Sequence, residues 1–591
     1  MTVRNLHDPL EVKRHSFAHL VAAAVTRLFP GTHLGVGPVI DNGFYHDFEL
    51  PEGKKLSEAD LPRIEAMVRR LITEAQEFAK KIVPIQEAIQ LLQQRGQVYT
   101  QELAEDLEKE GIHEVSFYSN GEFSNMCTGP HIQNTRLLDS HAFKLMNVAG
   151  VYWKGDEQRP QIQRIYGAAF HTSQALEDYL KLHEEAKRRD HRKLGKELDL
   201  FVFSPLVGAG LPLFTSKGAL IRKLISDFIL ELQKPFGYQQ VWIPHLTKTA
   251  LYKTSGHWDK YKNDLFYVRG KHDNEYVLKP MNCPHHTQIY ASRLRSFREL
   301  PLRFAEVSTT YRDEQPGELQ GLSRVLAITV DDAHLFCTPE QVLSEVLNIF
   351  KIIEPFYAAF HLPLTIRLSL RDPEHPENYL GSEHVWEQSE SLLAQAIESF
   401  GKTYLKVPGE AAFYGPKIDF LAKDSLGRSW QVATIQIDFN QPERFQLVYQ
   451  DHDGKPKAPV MIHRAIAGSL ERFMAILIEH FAGAFPLWLA PLQLALLPVA
   501  ERHVAFAQKL AADFREYYFR VEVFDTSTTV SKKIVEAAKL HIPYVLVLGD
   551  KEIEERMLSI RKRGNKKVTS TSKDEFIALV QSALKSRTLE L

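Results

Sequence analysis

The sequence predicts a multidomain chain that combines α+β and α/β organisation, and three observations carry this. A single hydrophobic core rarely grows past a few hundred residues, and this chain has 591. Its last hundred or so residues alternate strand and helix in the manner of a small parallel-sheet α/β domain: "LQLALLPV", "RHVAFAQKLAADFREYY", "RVEVFD", "SKKIVEAAKLH", "YVLVLG", then "MLSIRKR" and "KDEFIALVQSALKS". Ahead of them lies a long region of Val/Ile/Tyr/Phe runs, preceded by a segment that mixes short helices and strands.

Taken in order, the first segment, 1–172, holds "LEVKRHSFAHLVAAAVTRLF", with apolar residues at helical spacing, and "NGFYHDFEL", which alternates as a strand behind an Asn-Gly turn. The stretch 173–197, inside "SQALEDYLKLHEEAKRRDHRKLGKELDLF", reads as one strongly charged amphipathic helix, a solvated connector. The large α/β region follows over 198–487, and the alternating domain over 488–591. "FAGAFPLWLAPLQLALLPVA" is apolar except for Gln493, but Pro486, Pro491 and Pro498 interrupt it. It reads as a helix end, a loop and a buried strand, so no membrane span is expected.

Composition narrows the function classes. With 44% hydrophobic and 25% charged residues the chain is expected to be soluble. A formal net charge of −2 means that any nucleic-acid contact must use local patches. Three cysteines cannot build a disulfide framework, and the N-terminus has no apolar core behind its basic residues, so a cytoplasmic location is expected.

One of those cysteines, Cys283, sits in "KPMNCPHH", with no second cysteine at zinc-finger spacing. If it binds metal, its partners come from far along the chain. "RFAEVSTTYRDEQPGELQGLSRVLAITVDDAHLFC" reads as strand, polar loop and strand, with Arg312, Glu314 and Arg324 around the turn. Two cations and one acid there suit a polyphosphate, and equally a surface ion-pair network. "MIHRAIAGSLERFMAILIEHF" reads as a strand end, a small-residue loop and a helix carrying Arg472, which can reach a phosphate or stack on a purine.

In their order, "KPMNCPHH", "YRDE…GLSRV…DDAHLFC", "AFYGPKIDF", "WQVATIQIDF" and "HRAIAGSLERF" resemble the run of motifs in the threonyl-tRNA synthetase family of class II aminoacyl-tRNA synthetases, over nearly the whole chain. The resemblance implies an N-terminal α+β editing domain (1–172), a linker helix (173–197), a class II catalytic domain on an antiparallel sheet (198–487) and a C-terminal α/β anticodon-binding domain (488–591). It implies ATP-dependent activation of L-threonine to threonyl-adenylate and transfer to the 3′ end of tRNA(Thr). Cys283, His334 and His463 match the family's ligands for one catalytic Zn2+ per subunit. Taken singly, each also fits a buried thiol or a core histidine; as a set, three S/N donors with a fourth position open describe a catalytic zinc. Such a metal would select threonine by its amino and hydroxyl groups over valine, which a hydrophobic pocket alone rejects weakly. Asp332, Tyr414, Lys417 and Gln436 match the amino-acid pocket. Arg312, Glu314, Arg324 and Arg472 match ATP-binding positions, with Arg312, Arg472 and Gln431 as the catalytic set and Mg2+ expected with ATP. Pro244 in "QQVWIPHL" matches the proline of the dimer-building motif, which implies a homodimer.

In the first segment, "HSFAH" places His15 and His19 at i and i+4, and "CTGPH" supplies Cys127 and His131. From the residues alone these four make a tetrahedral zinc site. The resemblance implies instead a metal-free hydrolytic site that removes serine from the threonine tRNA, although related alanine-specific domains carry zinc at similar positions. Serine also has an amino group and a hydroxyl, so a second sieve is needed. Tyr45 in "GFYHDF" is assigned to this pocket, and Asn125 stands where the family commonly has an aspartate.

At the other end, Glu552 and Arg561 match anticodon-reading positions, and Lys562, Arg563, Lys566 and Lys567 form a basic run suited to an RNA backbone. Ser527 replaces a frequent asparagine, Val330 a frequent glutamine and Leu326 a common arginine. The small ubiquitin-like TGS module that often precedes the editing domain is expected to be missing. The competing expectations are an inhibitor-resistant or specialised paralogue, a tRNA-binding regulator with reduced ligase activity, and a chain that is mainly an editing hydrolase.

Overall fold

The computed structural model describes residues 8–271 and 275–591. The chain divides into two units, one up to residue 184 and one from residue 185. In the first, helix α1 (Pro9–Leu28) starts at Asp8, whose carboxylate accepts from Leu10 N (2.8 Å), with Pro9 at the first helical position. Its run from Phe17 to Val25 is buried. Phe17 stacks on Phe44 of strand β1 (Gly43–Glu49), with ring centroids 6.3 Å apart. The Asn-Gly turn is present, with Asn42 at φ +63° joining β1 to its partner Val39–Ile40. β1 pairs on its other edge with Gln161–Ala169. A separate small sheet runs Ala79–Pro84, β2 (Glu114–Asn120), β3 (Phe123–Met126).

The charged helix of 173–197 is not continuous. Ser173–Arg189 ends at Asp190, whose non-helical backbone and carboxylate, accepting from Arg192 N (2.8 Å), start a second helix, α2 (His191–Glu197). This part is not a solvated connector, because His191, Leu194 and Gly195 are buried.

Among the described residues of the second unit, eight strands form one sheet in the order Gln239–Gln240, β4 (Leu302–Tyr311), β5 (Ala327–Cys337), β8 (Val460–Ser469), β7 (Ser429–Asp438), β6 (Lys417–Lys423), Leu364–Leu370, Tyr404–Pro408. Every pairing from β4 to Leu364–Leu370 is antiparallel, as expected; only the two outermost are parallel. Alternation sends Leu335, Cys337, Ile418, Phe420, Ile435, Ile437 and Ile462 to a core packed under the helix Val342–Ala358. The opposite face carries polar side chains in register: Lys417, Gln436, His463 and His334 are consecutive cross-strand partners. Asp419, Thr434, Ala465, Asp332 and Glu306 form the next such row. A β-bulge between Val330 and Asp332 turns Asp331 inward, where its carboxylate accepts from Ile466 N (2.7 Å) and Ala467 N (2.9 Å) and meets Arg464 (3.2 Å).

"KPMNCPHH" opens helix α3 (Cys283–Ala291), with Pro284 in its first turn. The small-residue loop expected in "HRAIAGSLERF" is absent, since β8 runs through Ser469 and helix α4 (Leu470–His480) begins at the next residue, capped by Ser469. Gly468 makes this possible: its φ is +66°, and a Cβ there would lie 2.6 Å from Val432 O. The C-terminal sheet is mixed rather than all parallel. Val521–Val523, Leu494–Pro498 and Tyr544–Leu548 are parallel, but β9 (Met557–Lys562) and Val568–Ser572 run antiparallel. The connection before β9, helix α5 (Asp550–Glu555), is too short for a crossover. No helix among the described residues is long and apolar enough to cross a membrane, and Leu487, Leu489 and Leu494 are fully buried.

Candidate active site

Cys283 at the start of α3, His334 on β5 and His463 on β8 come together, with one ligand atom from each within 4.8 Å of the others and all three buried. Each imidazole is held by a second group. His334 Nδ1 lies 2.8 Å from His286 Nδ1, and its Nε2 lies 3.6 Å from Asp332 Oδ1. His463 Nε2 lies 3.0 Å from Asp438 Oδ2, a carboxylate that also accepts from Gln441 Nε2 (2.8 Å). Asn282 Nδ2 donates to Asp332 Oδ2 (3.2 Å), and His257 Nε2 stands 3.8 Å from Cys283 Sγ. Burial, with the charge of Asp332 next, holds the Cys283 thiol well above its usual value, and burial raises Asp332 as well. Sulfur plus two imidazoles, oriented by outer partners and flanked by two carboxylates whose ionised forms a cation would stabilise, is a donor set that fits zinc and not magnesium or calcium.

Beside the trio, Tyr414 O–H donates to Gln436 Oε1 (2.7 Å). Lys417 Nζ lies 3.1 Å from the fully buried Asp419, which also accepts from Ser369 Oγ (2.7 Å) and Gln431 Nε2 (2.7 Å). Gln431 is thus bound into the sheet, and its Oε1 accepts from Arg367 (3.1 Å). Arg312 follows β4 directly. Its guanidinium lies 5.7 Å from the Tyr261 ring centroid, and its Nε is buried without a hydrogen-bond partner. Glu314 and Arg324 pair with each other (2.5 Å), and Glu318 joins Arg324 at 3.0 Å. The ion-pair alternative therefore holds for those two and leaves Arg312 free of it. Arg472, in the first turn of α4, stacks over Trp430 at 5.7 Å.

A second constellation lies in the first unit. His15 Nε2 and His131 Nε2 stand 3.3 and 3.2 Å from Cys127 Sγ. The hydroxyl of Ser16 donates to Val12 O (2.8 Å), so towards Ile132 N (3.1 Å) and His131 Nδ1 (3.2 Å) it can only accept. His131 therefore carries its proton on Nδ1 and turns a bare Nε2 to the thiol. His19 does not join as a fourth ligand: its Nε2 is buried without a partner, and its ring sits against Phe123, centroids 4.9 Å apart. Burial lowers His15, takes His19 down to about 3 and pushes Cys127 up to about 11. These groups face a cavity of about 690 Å³ as neutral imidazoles and a thiol.

The wall of that cavity corrects one expectation. The alternation of β1 brings His46, not Tyr45, to it. Tyr45 lies on the other face, with the Arg164 guanidinium 3.6 Å from its ring centroid and Tyr166 alongside. His46 Nδ1 lies 3.0 Å from Asp47 O, which fixes the proton there and leaves Nε2 as an acceptor; burial lowers this imidazole to about 4. Asn125 also lines the cavity, with its Oδ1 accepting from Met126 N (2.9 Å).

In the C-terminal region, Glu552 on α5 accepts from Ser559 Oγ (2.6 Å) and Gly549 N (2.9 Å), and Arg561 lies on β9 opposite Val545 and Val568. Half of the basic run is committed within the protein. Arg563 donates to His541 O (2.7 Å) and Phe485 O (2.8 Å), and Lys562 to Leu591 O (2.8 Å), while Lys566 and Lys567 are exposed. Ser527 is exposed in the loop before the helix Val530–Lys539.

Sequence reasoning missed His257, His286, Asp438, Ser16 and His46. His286 lay inside a quoted motif, and counting the alternation of "GFYHDF" from its buried Phe44 separates position 45 from 46. Asp438 likewise falls within "WQVATIQIDF", but its partner His463 is set by cross-strand placement, and nothing local marks His257.

Three family models match the chain in order. "Threonyl and Alanyl tRNA synthetase second additional domain" matches residues 115–166, "tRNA synthetase class II core domain (G, H, P, S and T)" residues 266–481, and "Anticodon binding domain" residues 493–583. The threonine–tRNA ligase of Gloeobacter violaceus is 46% identical over 97% of this chain and 92% of the relative. That of Geobacillus kaustophilus is 44% identical over 100% and 90%. Among solved structures, the RNA binding domain of threonyl-tRNA synthetase from Cryptosporidium parvum superposes with a TM-score of 0.64 at 35% identity, covering 66% of this chain and 98% of that one. With near-complete coverage at this identity and a Cys/His/His cluster on the face of a class II sheet, the chain belongs to the threonyl-tRNA synthetase family.

Proposed function

We propose that this chain is a threonine–tRNA ligase that activates L-threonine with ATP, transfers it to the 3′ end of tRNA(Thr) and hydrolyses seryl-tRNA(Thr). The observation that carries the reading is the convergence of Cys283, His334 and His463 beside Asp332, with Arg312 and Arg472 on adjoining elements. Zinc held by the three would supply a Lewis-acid site for an amine and a hydroxyl together, a pair that threonine has and valine lacks. Asp332 accepts the hydroxyl hydrogen bond, and Tyr414, Lys417 and Gln436 border the amino acid on the same sheet face. The threonine carboxylate attacks the α-phosphorus in line and pyrophosphate leaves; a hydroxyl of the terminal ribose then attacks the acyl carbon of the adenylate, forming the ester and releasing AMP. Arg312 neutralises charge developing on the α-phosphate and Arg472 the γ end, while Glu314 and Arg324 flank the nucleotide, Gln431 lies near the reacting end, and Mg2+ accompanies ATP. The unpartnered Arg312 Nε supports its assignment.

Serine satisfies the same metal requirement, so discrimination passes to the cavity of the first unit. There Cys127 and His15 line the cavity, and the bare Nε2 of His131, 3.2 Å from the Cys127 sulfur, can take a proton relayed through that thiol from water attacking the seryl ester, without a metal. Glu552 and Arg561 are assigned to anticodon bases, with Lys566 and Lys567 on the backbone. A homodimer is supported by Pro244, which sits between Trp242 and Leu246, 75% and 42% exposed. The cytoplasm is the compartment in which the reaction is needed. Threonine-dependent ATP–pyrophosphate exchange, with metal content measured on the same preparation, tests the reading; no exchange from zinc-loaded protein would overturn it.

A further inference from the structure

We propose that His191 is a positioning residue that ties the ATP-side arginine turn to the helix carrying Arg472; this deepens the ligase reading and rests on it. His191 is 4% exposed and opens α2, in the stretch whose sequence suggested a solvated connector. Its Nε2 accepts from the backbone N–H of Leu322 (3.1 Å). That bond fixes the tautomer: the proton sits on Nδ1, which donates to Glu479 Oε1 (2.6 Å), while His191 N donates to the same oxygen (3.1 Å).

Both anchored points belong to nucleotide-facing segments. Leu322 lies in a tight turn closed by Gln320 N to Arg324 O (3.1 Å) and Ser323 N to Gln320 O (2.9 Å), so holding its amide holds Arg324 two residues on. Glu479 is in the last turn of α4, which has Arg472 in its first. A second route reaches the Arg472 guanidinium. Glu479 Oε2 accepts from Arg428 (2.5 Å), Arg428 Nε donates to Asp424 (2.8 Å), and Asp424 accepts from Trp430 Nε1 (2.8 Å), the indole over which Arg472 stacks.

The turn is built around the imidazole. Gly321 has φ +52°, and a Cβ added there would lie 2.3 Å from His191 Nε2. The carboxylates, the arginine and the imidazole are mutually satisfied, so a side-chain change at His191 leaves the Leu322 amide without its acceptor and Glu479 without its imidazole donor, with only the His191 N–H and Arg428 still bonded to that carboxylate. Its consequence in the reaction is a misplaced pair of arginines on the nucleotide, not a changed threonine site, since Cys283, His334 and Asp332 share no contact with this chain of bonds.

The test is ATP–pyrophosphate exchange with ATP and threonine varied separately, on full-length His191→Ala, His191→Gln, His191→Asn and Gly321→Ala. His191→Ala and Gly321→Ala are expected to raise the KM for ATP about tenfold while the KM for threonine stays within about twofold. A glutamine amide overlaps the Nε2 position and keeps an acceptor for Leu322, whereas an asparagine amide overlaps Nδ1 and keeps only the Glu479 bond. His191→Gln should therefore recover most of the ATP KM and His191→Asn should not, a distinction that burial alone would not make. Hydrogen exchange of the 320–324 amides, faster in His191→Ala, reads the tether without activity. An unchanged KM for ATP in folded His191→Ala, or equal rescue by both amides, overturns the proposal. Absence of exchange in the wild-type protein would instead overturn the ligase reading, and the amide-exchange result would then decide on the tether alone.

Discussion

Two clusters in this chain use the same three side chains, one cysteine and two histidines, and differ in what surrounds them. In the second unit the trio is buried, its imidazoles are oriented by Asp438 and His286, and Asp332 stands 3.6 Å from His334. In the first unit the trio is half-buried, the hydrogen bonds fixing His131 and His15 come from the Ser16 hydroxyl and the Pro130 backbone, and among the described residues no carboxylate bonds to either imidazole. Carboxylates offset the charge of a divalent ion; neutral partners do not. The contrast teaches that ligand types alone do not specify a metal site. On the proposed reading the trio of the second unit would hold zinc and sort amino acids, while that of the first unit keeps unprotonated nitrogens beside a cavity.

The largest expected effect breaks the comparison at its strongest point. Cys283→Ala should remove the zinc and lower threonine-dependent exchange by about a thousandfold or more, as losing a metal that binds substrate removes most of the transition-state stabilisation. A variant that kept metal or exchange would sink the assignment. Next, Cys127→Ala and His131→Ala should lower seryl-tRNA deacylation by about a hundredfold, a typical share for a proton-transfer group, and leave exchange untouched. Parallel loss of both activities would mean that the two clusters are not functionally separate.

The cavity wall gives a smaller and sharper test. His46→Gln should slow deacylation about tenfold, while Tyr45→Phe, on the far face of β1, should change it less than about twofold. The reverse order would put the tyrosine back in the site. Acid should also distinguish the first unit. His19 and His46 titrate near 3 and 4 when folded, against about 6.5 when unfolded, so the unfolded chain binds more protons between those values. Stability contributed by these groups is therefore complete above pH 6.5 and falls as pH drops towards 4, by about 1.4 kcal/mol per pH unit for each histidine. Chemical denaturation of wild-type protein and His46→Gln at pH 7 and 5 reads this, with the variant losing less. The smallest effect separates the C-terminal cations: Lys566→Ala with Lys567→Ala should weaken tRNA binding and flatten its salt dependence, whereas Arg563→Ala should lower stability by about 1–3 kcal/mol through two lost carbonyl bonds.

Much of this was legible in the chain because chemistry and spacing coincide. "KPMNCPHH", "DDAHLF" and "MIHRAI" carry a rare cysteine and two histidines in strand and helix-start contexts, and "HSFAH" puts two imidazoles on one helix face. What stayed hidden depends on register and on long-range bonds. Asp438 reaches His463 because β7 and β8 are adjacent, and His191 looked like one more charge in a charged helix until Asp190 broke that helix and Glu479 and Leu322 claimed the ring. Arg563 looked like an RNA ligand for the same reason: local sequence shows a cation, not the two carbonyls that occupy it.

The most direct measurement of the central claim is zinc per chain in wild-type protein, Cys283→Ala and Cys127→Ala, each purified without added metal. The account predicts about one, none and one. Two zincs in the wild type, with one lost in each variant, would contradict it, because the neutral hydrogen-bond partners of the first cluster would then suffice to hold a metal.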